Sequence, residues 1–257
     1  MGLGRPISQH ARRPAAGPGF TIVELLVVVL VVSVLVAILL PTLAGAIRSG
    51  RAAASMSNLR QIGIVLGLYA EGEGAFPMAV LDEYGETSFY PFACEGGRIG
   101  VTHWQIVHAW PAVVAPYAPW DEYREVFVAP SSDRERETCG WPASYLYSAS
   151  FIARPETWTD GTTPDSALLD SASPNEVVFP STKVLSWEWE LPYLGKPFPV
   201  IGRDIARPTP MLFADNHVDQ KTPALAADPA RNVFDPLTGT AGMRLHNTPS
   251  GVRGRDY

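Results

Sequence analysis

Cysteine is scarce: only Cys94 and Cys139 occur in 257 residues. No C-x-x-C pair exists, and the five histidines, His10, His103, His108, His217 and His246, never form H-E-x-x-H. The usual sequence signatures of zinc sites are therefore missing. There is no P-loop, no G-x-G-x-x-G and no G-x-S-x-G elbow. With no catalytic constellation in view, the chain is not expected to be an enzyme, and no cofactor is implied. Basic runs are lacking too. The formal net charge is −6, with 20 basic and 26 acidic residues. An acidic chain without a lysine run is a poor ligand for a phosphate backbone, so no nucleic-acid partner is expected.

What the chain does have is one long stretch without charge. From Phe20 to Leu40, 21 residues, the only charged side chain is Glu24. About 20 residues at ~1.5 Å each span the ~30 Å hydrocarbon core of a bilayer. Glu24 is costly there: an acid at the bilayer centre costs at least ~2.5 kcal/mol and marks a functional position by default. Either it lies near enough to the membrane surface to stay wet, or it needs a cation from elsewhere. The residues before the run, 1–19, carry Arg5, Arg12 and Arg13 with no acid and three prolines. A secretory signal would have a shorter apolar region with its cleavage site after that region, not before it. Arg48, Arg51 and Arg60 follow the span and balance the leader arginines, so charge alone does not orient it.

Gly19-Phe20-Thr21, then Glu24-Leu25-Leu26 and a long apolar run to Pro41, resembles the cleavage and methylation signal of type IV pilins and type II secretion pseudopilins. The resemblance implies that a prepilin peptidase cuts between Gly19 and Phe20 and methylates the new Phe20 amine. It implies that Glu24 pairs with the Phe20 amine of a neighbouring copy. The implied partners are the peptidase, further copies of this chain or other pseudopilins, and the bacterial inner membrane. The chain would be single-pass, with the leader inside and the C-terminal domain periplasmic or at the cell surface. A buried acid is tolerated when a partner charge enters its low-dielectric site, and such a pair can set register. Loss of the three leader arginines would take the net charge from −6 to −9.

Beyond Pro41, apolar residues from Leu43 to Tyr69 recur mostly at three- and four-residue steps, with an alanine-rich filler. One long helix is expected from Phe20 to about Glu71, stopped by Gly72 and Gly74 with Pro77 following. The expected organisation is a leader over 1–19, a membrane and assembly helix over 20–41, its amphipathic continuation over 42–74, and a β-rich globular domain over 75–257. Strands are expected at Gln105–Ala109, Val126–Ala129, Tyr145–Ile152, Val177–Phe179, Val184–Glu188 and Met211–Ala214, with Val218 continuing after an Asp215-Asn216 hairpin turn. The fold class is α+β, pilin-like, with the long helix packed on an antiparallel sheet.

The resemblance runs on into this part. Asn58-Leu59-Arg60-Gln61, then Tyr69 with Gly74-Ala75-Phe76-Pro77, then Phe213-Ala214-Asp215-Asn216-His217-Val218 follow the order seen in pilin-like proteins abundant in planctomycete bacteria. Ser173-Pro174-Asn175-Glu176-Val177 resembles the step ahead of their central strand. Asn216 stands where they have glycine, and Ala129, before Pro130-Ser131, where they have cysteine.

Three further candidates carry chemistry. A disulfide between Cys94 and Cys139 is permitted outside the cytoplasm and would close a loop worth ~4 kcal/mol in the chain-entropy model; two independent buried thiols are the alternative. Asp160 and Asp165, with Asp170, are the best calcium-loop carboxylates, and related major pseudopilins bind calcium in a late loop; they are weak candidates, since no EF-hand spacing exists and Asp-Gly is ordinary turn chemistry. Trp187-Glu188-Trp189-Glu190 fits a sugar-facing aromatic edge or a strand with one buried face. Two functions stand against each other: a filament-forming structural subunit, and a monomeric membrane-anchored surface binding module with the same signal.

Overall fold

The computed structural model describes residues 19–79, 88–91, 98–130, 132, 143–191, 206–235 and 240–257. The leader to residue 18, Cys94, Cys139 and Ser131 lie outside them. The chain forms two compact units, residues 1–47 and 48–257. Its class is α+β: a long apolar N-terminal helix and a four-stranded antiparallel sheet.

Helix α1 runs Ile22–Glu73 and continues through Pro41. In the first unit its large apolar side chains are exposed, and it is long and apolar enough to cross a membrane. Ser33 and Thr42 turn their hydroxyls back onto the carbonyls of Val29 and Leu39, at 2.7 and 2.8 Å. Local bonds of this kind satisfy hydroxyls where water is absent. The helix ends two residues later than expected, at Glu73, and Gly74 takes φ +77°. A left-handed residue just past the last turn suits glycine, which has no Cβ to clash.

In the second unit, the remainder of α1 buries Ser55, Leu59, Ile62, Gly63, Val65, Leu66 and Ala70. Those positions lie on one helical face, and the face packs on a sheet. The strands are β3 (Tyr145–Tyr147), β4 (Val184–Glu188), β5 (Thr209–Phe213) and β6 (Val218–Lys221), paired antiparallel in chain order. Tyr145, Tyr147, Leu185 and Leu212 join the α1 residues in one core. Leu146, Val184, Trp187, Met211 and Phe213 face the other way and form a second core with Ala226 and Leu245 from the C-terminal segment. Both sheet faces are thus covered, and β4 and β5 are buried along their whole length. A register shift between Val184 and Ser186 marks a bulge in β4.

At Gly63 the helix and the β5–β6 hairpin pack closely. A Cβ built there would lie 2.0 Å from Asn216 Oδ1 and 2.9 Å from Leu212 Cδ1. Asn216 itself takes φ +72°, as the tight turn read from Asp215-Asn216 requires.

Two expected strands are helical. Gln105–Ala109 falls in a short turn (His103–Gln105) and in α2 (Ile106–Val113), and Val126–Ala129 overlaps the end of α3 (Trp120–Phe127). Both segments are short apolar runs, which periodicity cannot assign between helix and strand. Tyr145–Ile152 is a strand only to Tyr147, because Ser148 caps a tight turn over Ala149–Phe151. Val177–Phe179 is not a strand; it follows a turn over Pro174–Glu176 in which the Ser173 amide donates to Glu176 Oε2 at 2.9 Å. A separate antiparallel pair, β1 (Ser88–Pro91) and β2 (Arg98–Val101), lay outside the expected strands.

The C-terminal segment is fastened by polar groups that no water reaches. Lys183 Nζ lies 3.2 Å from Asp256 Oδ2, both side chains being essentially fully buried. Asp256 also accepts from the Val184 amide at 2.8 Å and from the Thr248 hydroxyl at 2.6 Å, and the Lys183 ammonium donates to Thr248. Burial pushes the Lys183 pKa down, and the charge of Asp256 opposes that shift. His246 Nδ1 accepts from the Ala149 amide at 3.2 Å, and its ring lies 4.7 Å from that of Trp187. Burial, aided by His108 and Lys183, lowers its pKa to about 3. Burial lowers that of His103 to about 4.

Two predictions follow from this packing. Removing one partner of a buried ion pair strands the other, so Asp256→Ala should cost ~3–5 kcal/mol in urea unfolding followed by tryptophan fluorescence. Lys183→Met combined with Asp256→Asn, which leaves no buried charge, should recover at least half of that loss. The second concerns pH. The unfolded imidazoles protonate near 6.5, whereas folded His246 and His103 resist protonation down to about 3 and 4. Stability is therefore complete above pH 6.5 and falls as pH drops, by about 2 kcal/mol per histidine at about pH 5. His246→Gln keeps an acceptor for Ala149 and should remove roughly half of that slope.

Candidate functional site

Gly19, Phe20 and Thr21 form a non-helical lead into α1, and Phe20 is 73% exposed. Glu24 sits in the first turn. Its Oε2 accepts from the Thr21 amide at 2.8 Å and from the Thr21 hydroxyl at 2.8 Å. In return the Glu24 amide donates to Thr21 Oγ1 at 3.2 Å. This reciprocal exchange is a capping box, which satisfies donors that the start of a helix leaves unpaired. Thr-x-x-Glu ahead of an apolar run is its sequence signature. The sequence reading weighed Glu24 only as a charge in lipid and missed this second role. Among the described residues no lysine or arginine pairs with Glu24.

From Ile22 to Leu40 every large apolar side chain is exposed, at 44% or more. Isolated apolar residues on a surface are ordinary, but a continuous apolar surface of this extent marks contact with a membrane or with protein. The head of α1 therefore combines an exposed aromatic residue, an ordered carboxylate and an unpartnered apolar helix.

The other residues singled out in the sequence do not converge on a site. Asp165 Oδ1 accepts from the Ala167 amide at 2.9 Å, Asp170 pairs with Arg154, and Asp160 is exposed. Among the described residues no group of three or more His, Cys, Asp or Glu is placed to hold a metal ion. Trp187 and Trp189 are buried in the second core, so they offer no sugar-facing edge; the aromatic and acidic alternation is that of a strand buried on both faces. Glu188 is the surprise of that strand. It is fully buried on the α1 side, where Ser55 Oγ donates to its Oε2 at 2.5 Å and Tyr145 Oη donates to Ser55 at 3.2 Å. Nothing in Trp-Glu-Trp foretold it, because the partner Ser55 lies 133 residues away.

At the hairpin tip, His217 Nδ1 lies 2.5 Å from Asp215 Oδ1, and the ring stacks on Phe213 at 4.2 Å. Asp219 pairs with Lys221 at 3.3 Å. The tip borders an open groove of about 590 Å³, lined by Gly63, Gly67 and Glu71 of α1 and by Asn175, Asp215 and Asn216.

Comparison with known protein families, with curated proteins and with solved structures finds no match to this chain.

The capping box has a direct test. Thr21→Ala removes both bonds of the Thr21 hydroxyl, leaving Glu24 only the amide of residue 21, and should cost the helix start ~1 kcal/mol. In detergent micelles, amide exchange at residues 22–24 should quicken about fivefold, while exchange beyond Val32 stays unchanged.

Proposed function

We propose that this chain is a pilin-like or pseudopilin-like structural subunit. A prepilin peptidase removes the leader between Gly19 and Phe20 and methylates the Phe20 amine. The mature chain is held in the bacterial inner membrane by the first part of α1, with the 48–257 unit outside the cytoplasm. It assembles through α1 into a type IV pilus or a type II secretion-like filament. The observation that carries this reading is Gly19-Phe20 set directly before an exposed apolar helix whose only charge, as far as Leu40, is Glu24.

The physical case is one of exchange. The apolar helix leaves lipid for a core made of its own copies, losing no hydrophobic burial. Glu24 gains what lipid cannot supply, the ammonium of a neighbouring Phe20, and a charge pair in a water-poor site holds one register against others. The work is packing, not catalysis. The 590 Å³ groove favours a second reading, a monomeric anchored module that binds a ligand on its outer unit. Cleavage is common to both readings; assembly is not.

Mass spectrometry of the mature protein is expected to find N-methylated Phe20 as its first residue. An intact Met1, or a cut after Leu40, would sink the processing reading. Glu24→Ala should leave cleavage intact and abolish crosslinking between copies through positions 25–40; unchanged crosslinking would favour the monomeric module.

A further inference from the structure

The buried contact between Lys183 and Asp256 has the geometry of two reactants as well as of two charges. Lys183 Nζ lies 3.2 Å from Asp256 Oδ2 and 3.5 Å from Oδ1, so the nitrogen stands against the carboxyl group as a whole, with the carbon between the two oxygens in reach. Reacting atoms held about 3–3.5 Å apart are in near-attack contact. Each oxygen has its own donor. The Val184 amide donates to Oδ2 at 2.8 Å, as a backbone amide does toward the oxygen of a tetrahedral adduct. The Thr248 hydroxyl donates to Oδ1 at 2.6 Å and itself accepts from Lys183 Nζ. Nζ, Thr248 Oγ1 and Oδ1 thus form a continuous path along which a proton can pass from the ammonium to the carboxylate. The surroundings are dry: both side chains are essentially fully buried, and the Phe151 ring lies 5.8 Å from Nζ.

We propose that Lys183 and Asp256 become joined by an amide bond between Nζ and Cγ, formed within the folded chain. The ion pair described above is the state that precedes it. First, one ammonium proton passes through Thr248 Oγ1 to Asp256 Oδ1, which leaves a neutral amine against a neutral acid. Nζ then adds to Cγ while the Val184 amide holds Oδ2. The Nζ–Cγ bond forms and the Cγ–Oδ1 bond breaks. Oδ1 keeps the proton it has received, takes a second from Nζ, and leaves as water. One proton stays on the amide nitrogen. No oxidant, reductant or further reactant enters.

The site favours the product over the ion pair for two reasons. Burial penalises both charged forms, and it lowers the Lys183 pKa; an amide carries neither charge. A site that excludes water also keeps the finished bond from hydrolysis. The consequence is mechanical. Lys183 precedes β4 and Asp256 is the penultimate residue, so the bond spans 73 residues of sequence and fastens the C-terminal cover to the sheet covalently. The chain could then no longer be peeled open from its C-terminal end. The inference does not depend on the assembly reading, since it applies equally to a filament subunit and to a monomeric module.

The test is mass spectrometry of the full chain, folded, then denatured and digested with trypsin. In a chain without the bond, cutting after Arg255 frees the dipeptide Asp256-Tyr257. With the bond in place, that dipeptide is expected to stay on the peptide containing Lys183, which is one water lighter than the two pieces together and is not cut after Lys183. Lys183→Arg, which keeps the charge, should abolish the branch. Thr248→Val, which interrupts the proton path, should lower the branched fraction about tenfold, and Thr248→Ser should restore it. A free Asp256-Tyr257 dipeptide together with cutting after Lys183 in the unmutated chain would overturn the proposal. A branch undiminished in Thr248→Val would overturn the route through Thr248.

Discussion

Lys183 and Asp256 meet where neither is touched by water, and the second unit closes around that meeting. Lys183 precedes β4, the strand between β3 and β5 in the sheet. Asp256 is the penultimate residue of the chain. Their contact brings the C-terminal segment back across the sheet face opposite α1. Ala226, Leu245 and Tyr257 pack with Leu146, Trp187, Met211 and Phe213, while Val252 of the same segment joins the first core. The pair is also tied to the backbone. Asp256 takes the Val184 amide, and its own amide and carbonyl bond to Thr182 and Ala227 at 3.1 and 2.8 Å. A charge pair alone seldom contributes much once desolvation is counted. Here its value is positional, because it fixes the segment at one place on a sheet that apolar contacts alone would hold less specifically.

The surrounding polar groups extend the same logic. Trp158 Nε1 donates to Asn247 Oδ1 at 3.1 Å, Ala230 donates to the Asn247 carbonyl at 2.7 Å, and Ser150 donates to the His246 carbonyl at 2.9 Å. Segments without regular structure must place their backbone groups somewhere, and buried loops do so through side chains such as these. The sheet therefore has two different covers. On one side is a helix whose hydrogen bonds are internal, with Ser55 lending a bond to buried Glu188. On the other is an irregular segment that borrows its bonds from the sheet and its neighbours.

That difference explains what could be read from the sequence. The long helix was legible because its period persists over many turns and its stop is marked by Gly74. Strand β4 and the β5–β6 hairpin were legible because turn residues bracket short runs rich in apolar side chains. Helix α2 was not, since eight residues buried on most sides show no clear period, and α3 was not, since only its last residues, Val126 and Phe127, fall in the apolar run that was read as a strand. The polar fastening of the C-terminal segment was illegible altogether. Lys183 and Asp256 lie 73 residues apart, and neither carries a local signature of burial. Gly63 was read only as part of a helix, although its missing Cβ is what lets Asn216 approach.

At the head of α1 the sequence raised a question that the geometry narrows. A carboxylate in an apolar run needs a reason to be there, and Thr21 supplies the first part of one. Its amide and hydroxyl hold one oxygen of Glu24 and so fix the side chain at the helix start. An acid held in this way stays ordered before any cation arrives. In the proposed assembly the incoming Phe20 amine would then meet a carboxylate already in position, and less side-chain freedom would be lost on pairing. The cap also limits the role. A carboxylate whose oxygen already accepts two local bonds is stabilised as an anion at the positive end of its own helix. In the proposed assembly the drive would then come from the apolar helix itself, and Glu24 would select the register in which that helix is buried.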